Sequence, residues 1–122
     1  MEMGTILNVV FIAFIVWFVL SRFLPTKGVK SITTEGLKTE LGKQDKQYID
    51  VRTPAEFKGN HIRGFKNIPL HQLSQKVNSL DQNKEVIVIC QSGMRSQRAA
   101  KMLKKQGFKS ITNVTGGMNT WR

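Results

Sequence analysis

Residues 86–100 read VIVICQSGMRSQRAA and combine a buried strand, a short loop and the beginning of a helix. Four β-branched residues in a row, Val86 to Ile89, are typical of a strand that is covered on both faces. A helix is predicted over Ser96–Gln106, because its alanines, Met102 and Leu103 can face inward while its lysines face outward. Gly107 ends this helix. The order of elements indicates a parallel α/β sheet.

The loop between this strand and this helix carries the residues suited to chemistry. Its members are Gln91, Ser92, Gly93, Met94 and Arg95. Cys90 stands just before it, at the carboxyl end of the strand, where ligands bind in open parallel sheets. The loop amides and the helix N-terminus can form a nest for an anion. This nest and the Arg95 cation favour a thiolate, so the residues predict a nucleophilic cysteine that attacks a substrate bearing oxyanions.

The alternative for Cys90 is an inert thiol in the core, which is the usual role of a lone cysteine. The strand, the cysteine, the glycine-bearing loop, the arginine and the helix follow one another in register. This combination favours a reactive site over an inert one.

Strands and helices alternate along the rest of the chain from Lys30 onward. Strands are predicted at Ser31–Thr33, Tyr48–Val51 and Ser110–Val114, with a minor one near Ile68. Helices are predicted over Glu35–Leu41 with Thr34 as cap, from Pro54 through Phe57 with Glu56 in its third position, over Gln72–Leu80, and as a closing turn at Met118–Trp121. The alternation predicts a mainly parallel α/β sheet flanked by helices.

Composition limits the classes of site that this chain can hold. The 122 residues contain 19 Lys and Arg against 8 Asp and Glu, and the formal charge is +11. One cysteine excludes an internal disulfide and a zinc or iron–sulfur site built on paired cysteines, and two histidines leave little scope for a metal centre. The basic residues are scattered, without interleaved aromatics, so a nucleic-acid partner is not favoured. Anionic lipid or small anionic substrates explain the charge better.

The first 24 residues form a segment of their own. Residues 6–20 read ILNVVFIAFIVWFVL, and residues 3–24 form a helix of about 33 Å, enough to cross a hydrocarbon core of roughly 30 Å. A cleaved signal peptide would need a basic start and a small-residue cleavage site, and MEMGT supplies neither. A buried core helix is the other alternative. We predict an uncleaved transmembrane anchor over 3–24, a linker over 25–29 and a folded domain over 30–122.

The charges that flank this segment predict its orientation. Only Glu2 precedes it, whereas Arg22, Lys27 and Lys30 follow. The positive-inside rule therefore predicts a single-pass protein of the cell membrane with its N-terminus outside and its domain in the cytoplasm. A free cysteine suits that reducing compartment.

Four motifs, in order, carry a resemblance to a known family. They are Cys-Gln-Ser-Gly-Met-Arg-Ser at 90–96, Asp-Val-Arg-Thr-Pro-Ala-Glu-Phe at 50–57, His-Ile-Arg-Gly-Phe-Lys-Asn-Ile-Pro at 61–69, and Gly-Gly-Met-Asn-Thr-Trp at 116–121. Together they span the soluble part of the chain, about residues 30–122. This part resembles the rhodanese-like sulfurtransferase family.

The resemblance implies a fold and a reaction. The fold is a central parallel sheet flanked by helices. Sulfane sulfur passes from a donor such as thiosulfate to Cys90 as a persulfide, and then to a thiol or cyanide acceptor, without a metal or organic cofactor. The loop from Gln91 to Ser96 binds the substrate, and Arg95 holds the sulfonate end of the donor. The chain would then be a membrane-anchored sulfurtransferase or, alternatively, a membrane-tethered sulfur carrier or docking module with little thiosulfate turnover.

Loop length distinguishes this reaction from that of cysteine phosphatases. Those enzymes use Cys-x5-Arg, whereas four residues separate Cys90 from Arg95, and Ile89 rather than a histidine precedes the cysteine. The shorter loop is expected to fit one sulfur atom instead of a phosphate. Two positions depart from the family pattern: Phe65 replaces a small residue, and the uncharged Gln91 stands where many relatives carry a cation.

Other polar residues receive structural or supporting roles. Asp50 ends a strand at the same sheet edge as Cys90 and is expected near the site, where it could orient Arg95 or a loop amide. Arg52 and Glu56 are expected to form an ion pair. The remaining predictions are a structural role for His61, an exposed helix face for Arg98 and a packing role for Trp121.

Overall fold

The computed structural model describes residues 2–23 and 28–122. The helices are α1 Met3–Phe23, α2 Thr34–Glu40, α3 Pro54–Gly59, α4 Leu70–Lys76 and α5 Met94–Lys105. The strands are β1 Val29–Ile32, β2 Lys46–Asp50, β3 Lys66–Asn67, β4 Glu85–Ile89 and β5 Ile111–Val114. Two short 3₁₀ turns occupy Val77–Ser79 and Gly117–Thr120.

The five strands form one sheet in the order β1-β5-β4-β2-β3, and every pair is parallel. The predicted central parallel sheet is confirmed, with β4 in its middle. All strands therefore end at one side of the sheet, which we call the carboxyl edge, and begin at the other, the amino edge. Cys90 follows the last residue of β4 at the carboxyl edge.

Both faces of β4 are buried, as its run of β-branched residues predicts. Side chains alternate across the sheet, so Val86, Val88 and Cys90 join one core beneath α4 and α5. Ile87 and Ile89 join the other core, which contains Leu37, Phe65 and Met118. Phe65, the departure from the family pattern, packs edge-on against Tyr48 at 5.4 Å between ring centroids.

The predicted cap of the first domain helix was wrong by one residue. Thr33 Oγ1 accepts a hydrogen bond from Gly36 N at 3.1 Å and caps α2. Thr34 is instead buried, and its hydroxyl donates to the carbonyl of Thr120 at 3.0 Å. Two adjacent threonines offer the same capping chemistry, and only the tertiary contact with the C-terminal turn distinguishes them.

Two helices also begin two residues earlier than predicted. The helix after the cysteine loop begins at Met94, two residues before Ser96, because Gly93 has φ +103° and turns the chain directly into α5. The predicted helix over Gln72–Leu80 begins at Leu70 and changes at Val77 into a 3₁₀ turn. The predicted start at Pro54 is confirmed: Thr53 and Glu56 form a capping box.

The N-terminal helix α1 differs from the other helices in its length and in its exposed apolar surface. Residues Met3–Ser21 are long and apolar enough to cross a membrane, and none of that window is buried. A signal sequence near the N-terminus meets the same criteria of length and composition. The predicted end of the anchor at Leu24 and most of the predicted linker, residues 25–27, lie outside the described residues.

Candidate active site

Cys90 lies at the base of the loop with no exposed surface. Its Sγ accepts a hydrogen bond from the backbone amide of Gly93 at 2.9 Å and lies 3.4 Å from the hydroxyl of Ser96. That hydroxyl also lies 3.0 Å from the carbonyl of Gly93 and 2.5 Å from Oδ1 of Asn113. A hydroxyl has one proton, so Ser96 can donate to only one of these three acceptors at a time.

The loop depends on glycine at position 93. Gly93 has φ +103°, in the left-handed region that residues with a Cβ disfavour. A Cβ at this position would also lie 3.3 Å from Gly116 N. No side chain caps the N-terminus of α5, so the first amides of the helix, which have no intrahelical acceptor, are available to an anion above Cys90.

The C-terminal 3₁₀ turn packs directly against the backbone of the loop. The amides of Met118 and Asn119 donate to the carbonyls of Cys90 and Gln91, both at 2.9 Å. A Cβ built on Gly117 would lie 2.2 Å from the carbonyl oxygen of Cys90, so only glycine permits this approach. This contact was not predicted from the sequence, where the Gly116-Gly117 pair is part of a motif; the two adjacent glycines were the available signal.

Arg95 is held by a carboxylate from α3. Its two terminal nitrogens donate to Glu56 Oε1 and Oε2 at 2.7 and 2.9 Å. The hydrogen bonds from Arg95 lower the pKa of Glu56 to about 2, against the partial desolvation of the carboxyl. The same contact raises the pKa of Arg95. The expected pairing of Glu56 with Arg52 was therefore wrong, because α3 directs its first turn toward α5.

Arg52 pairs with a different carboxylate at the same edge of the sheet. Its guanidinium binds the buried carboxylate of Asp50, with Nη2 2.8 Å from Oδ2, and its Nη1 donates to Oε1 of Gln91 at 3.2 Å. The expectation that Asp50 orients Arg95 or a loop amide was wrong in its partner: Asp50 reaches the loop through Arg52. Gln91 is also held from the other side, since its Nε2 donates to Asn119 Oδ1 at 2.7 Å.

A cavity of about 400 Å³ opens beside Arg95, between α4 and the carboxyl edge of the sheet. It is lined by Val51, Thr53, Pro69, Leu70, His71, Ser74, Arg95 and Met102. The backbone amide of Val51 donates to the carbonyl of Ile89, the residue before Cys90. The cavity is therefore a near neighbour of the loop, with a mostly apolar wall and a cation at its rim.

Comparison with known proteins agrees with this architecture. The protein-family model described as the rhodanese-like domain matches residues 33–122 of this chain. The chain belongs to the rhodanese-like domain family. It is 40% identical over 116 residues to the uncharacterized protein YqhL of Bacillus subtilis, with 95% of this chain and 90% of that protein covered.

A second relative and a solved structure support the same assignment. The putative sulfurtransferase YtwF of Bacillus subtilis is 39% identical over 94 residues, which are 76% of this chain and 90% of that protein. The rhodanese-like domain protein from Staphylococcus aureus, known from a crystal structure, is 35% identical in sequence to this chain. The two structures match with a TM-score of 0.70 over 76% of this chain and 91% of that chain. The fold and the family are thus those that the motifs indicated.

The remaining predicted residues of the rhodanese-like domain lie outside the loop. His61 Nδ1 is 2.8 Å from the carbonyl of Phe57, and its ring stacks on that side chain at 4.0 Å, in keeping with a structural role. Arg98 is exposed on α5. Trp121 packs against the core around Leu37. Among residues 2–23 and 28–122, no group of three or more His, Cys, Asp or Glu side chains could hold a metal ion.

Proposed function

We propose that this chain is a membrane-anchored sulfurtransferase that carries sulfane sulfur as a persulfide on Cys90. The observation that supports this most directly is the hydrogen bond from the Gly93 amide to Sγ at 2.9 Å. Together with the uncapped N-terminus of α5, it supplies backbone donors first to the Cys90 thiolate and then to the outer sulfur of the persulfide, which carry the negative charge in turn.

The reaction balances without an oxidant or a reductant. The Cys90 thiolate attacks the outer sulfur of thiosulfate, the S–S bond of the donor breaks, and sulfite leaves with the electron pair. A thiolate or cyanide then attacks the outer sulfur of the persulfide, and the S–S bond to Cys90 breaks to return the thiolate. The loop residues Gln91, Ser92, Gly93, Met94, Arg95 and Ser96 are proposed to surround the transferred sulfur.

Arg95 is proposed to hold the oxygens of the donor without leaving Glu56. A guanidinium carries five N–H donors in a fixed plane, and the contact with Glu56 uses one on each terminal nitrogen. The side chain keeps 34% of its surface exposed, so its remaining donors face solvent or substrate. Asp50 is proposed to support the site indirectly, by fixing Arg52 against Gln91.

The anchor is proposed to be α1, with the domain in the cytoplasm. The length and apolarity of Met3–Ser21 support a membrane span, and the basic residues Arg22, Lys27 and Lys30 support a cytoplasmic side for the domain. The proposed division is an anchor over 3–24, a linker over 25–29 and the catalytic domain over 30–122.

A sulfur carrier with little thiosulfate turnover is the second candidate, and two observations favour it. Cys90 has no exposed surface, so a donor reaches Sγ only when the loop opens around it. Arg95 is the only cation in the loop 91–95, and Glu56 neutralises it. A neutralised Arg95 attracts a small dianionic donor only weakly, whereas a protein that docks on the loop can use its binding energy to open it, so both features favour a protein donor.

Intact mass spectrometry of the full chain in detergent tests the persulfide. Brief exposure to thiosulfate should add one sulfur atom to the native chain and none to Cys90→Ser, and cyanide should remove it. Turnover with thiosulfate then separates an enzyme from a carrier, which would accept sulfur readily only from a protein or polysulfide donor. If no donor adds sulfur while Cys90 remains alkylatable, the proposed function is wrong.

A further inference from the structure

We propose that the amino edge of the sheet rests on anionic lipid headgroups, so that Cys90 operates on the side of the domain that faces away from the membrane. This inference rests on the proposed role of α1 as a membrane span. The contact surface is the lysine patch, which we define as Lys104, Lys105 and Lys109.

The chain itself holds the amino edge close to the end of α1. Phe23 is the last residue of α1, and Gly28 precedes β1. Five Cα-to-Cα steps join these two residues and span at most about 19 Å. Because β1 begins at Val29, directly after Gly28, its first residue lies at most one Cα-to-Cα step beyond this distance from the end of α1. The amino edge of the sheet is therefore held close to the proposed membrane surface.

The parallel topology then fixes which elements share that edge. Val29 pairs with Ile111, and Lys46 pairs with Glu85, so the first residues of β1, β5, β4 and β2 lie side by side. Cys90 is five residues beyond Glu85, or about 16 Å along the strand direction at 3.3 Å per residue. The reactive sulfur is therefore at the opposite edge from the tether.

The lysine patch lies at the tethered edge. Because α5 follows β4 and leads back to the beginning of β5, its last residues return to the amino edge. The side chain of Lys104 lies against Gly28, the residue before β1: a Cβ built on Gly28 would lie 2.9 Å from Lys104 Cε. Lys105 and Lys109 are exposed beside it.

The charges of this patch are not used inside the domain. None of its three lysines forms an ion pair with a carboxylate in the described part of the chain. At the same edge, by contrast, Lys46 contacts both Glu40 and Glu85. The three unpaired ammonium groups, held next to the proposed membrane surface, match the negative potential of an anionic leaflet.

Nucleic acid is a weaker partner for the same lysines. Single-stranded nucleic acid is bound with aromatic side chains on which its bases stack, and the aromatic residue within this patch, Phe108, is 1% exposed and belongs to the core. The tether also keeps the lysines within reach of lipid at all times. This arrangement deepens the proposed function: donors and acceptors must arrive from the aqueous phase, as soluble molecules or proteins, and not from within the bilayer.

Förster resonance energy transfer from a dye on the protein to a dye on the lipid headgroups measures this orientation. In a Cys90→Ser full chain, a dye is attached either to Asn83→Cys, in the turn before β4, or to Ala55→Cys, next to Glu56 at the carboxyl edge; both positions are exposed. The acceptor is a headgroup-labelled lipid. In vesicles of phosphatidylcholine and phosphatidylglycerol we expect stronger transfer from position 83 than from 55. In phosphatidylcholine alone, or in high salt, that difference should shrink.

A matched pair of triple variants tests the patch. Lys104→Gln/Lys105→Gln/Lys109→Gln should reduce the difference between the two positions in anionic vesicles to that seen in phosphatidylcholine alone. Lys58→Gln/Arg63→Gln/Lys66→Gln removes the same charge from exposed positions elsewhere and should keep it. Thermal melting checks that both variants fold. Equal transfer from the two positions in the native background, or an equal response of the two triples, would overturn the inference.

Two separate readouts distinguish its failure from that of the proposed function. Extraction at alkaline pH releases proteins that do not span the bilayer; release of the full chain would overturn both the anchor and the orientation. Sulfur loading of the chain with native Cys90 is measured independently in the same vesicles. Retention in the membrane with normal loading but no preferred orientation would overturn this inference alone.

Discussion

At the scale of single residues, Cys90 is held both at its side chain and at its backbone. The Gly93 amide binds its sulfur from the loop, while the amide of Met118 binds its carbonyl from the C-terminal turn. Gly117 makes the second approach possible because it has no side chain. The position of the sulfur therefore depends on residues at 93 and 117 that carry no functional group of their own.

Gly117→Ala should be strongly destabilising. The added Cβ would meet backbone atoms of Cys90 and Gln91, and the nearest is only 2.2 Å away. Because neither backbone can move without disturbing the loop, we expect a loss of at least about 2 kcal/mol in the free energy of unfolding. Chemical denaturation measures it.

The matched control for this substitution is Gly59→Ala, at the end of α3, where an added Cβ meets nothing within 4 Å. That variant should change stability by less than about 1 kcal/mol. Similar stabilities for the two variants would contradict the close contact at Gly117.

At the scale of elements, the ion pair between Glu56 and Arg95 ties the first turn of α3 to the first turn of α5. Glu56 is also part of the capping box of α3, where its carboxylate accepts from the Thr53 amide at 3.1 Å. One carboxylate thus caps the start of α3 and positions the arginine of the loop. Its loss affects both elements at once.

The pH dependence of stability should report this link. The folded pKa of Glu56 is about 2, against an ordinary value of 4.5, so its contribution is present above pH 4.5 and is lost as the pH falls toward 2. Glu56→Gln should be less stable than the native chain at pH 7, and the difference should narrow below pH 4.5. Denaturation curves recorded across this range test this. Glu35→Gln, at a side chain that is 81% exposed, is the control and should cost less stability at pH 7 than Glu56→Gln.

The same substitution should strengthen the binding of thiosulfate, although it lowers the stability of the fold. Without Glu56 the charge of Arg95 is no longer neutralised, so the attraction of the loop for dianionic thiosulfate increases. We expect Glu56→Gln to lower the KM for thiosulfate while it lowers stability. A purely structural role for the pair predicts a KM that is unchanged or higher, and steady-state assays at several thiosulfate concentrations decide between the two.

Sequence patterns were sufficient for the elements and insufficient for the pairing of charges. The β-branched run of β4 and the Thr53-Pro54 start of α3 are local signals, and both were predicted correctly. The partners of Arg52 and Glu56 were not, because four residues of separation suggested a contact with each other. Arg52 instead binds Asp50, two residues before it, and the fold brings Arg95 from far along the chain to Glu56. The capping role of Thr33 was missed for a similar reason, since Thr34 is buried by a residue far along the chain.

At the scale of the whole molecule, the apolar helix α1 takes no part in the two cores of the folded domain. The window Met3–Ser21 has no buried residues, whereas the two cores of the domain are formed by residues from Val29 onward. The domain should therefore not need α1 for its stability.

A chain that begins at residue 25 should be soluble and should still accept sulfur on Cys90. Its thermal melting temperature should match that of the full chain in detergent, because no core residue has been removed. Size-exclusion chromatography and the mass assay with thiosulfate test these outcomes. Aggregation of this shorter chain would indicate that α1 covers part of the domain.

The place of β1 in the sheet has a consequence for biosynthesis. This strand is the first element of the domain to leave the ribosome, yet its only neighbour is β5, the last strand, with Val29 beside Ile111. The pairing of such distant segments is slow, because a long stretch of chain must be closed before any contact forms. A nascent chain whose N-terminal helix has already entered a bilayer would hold β1 there as an unpaired edge. The sheet can close only after β5 has also left the ribosome.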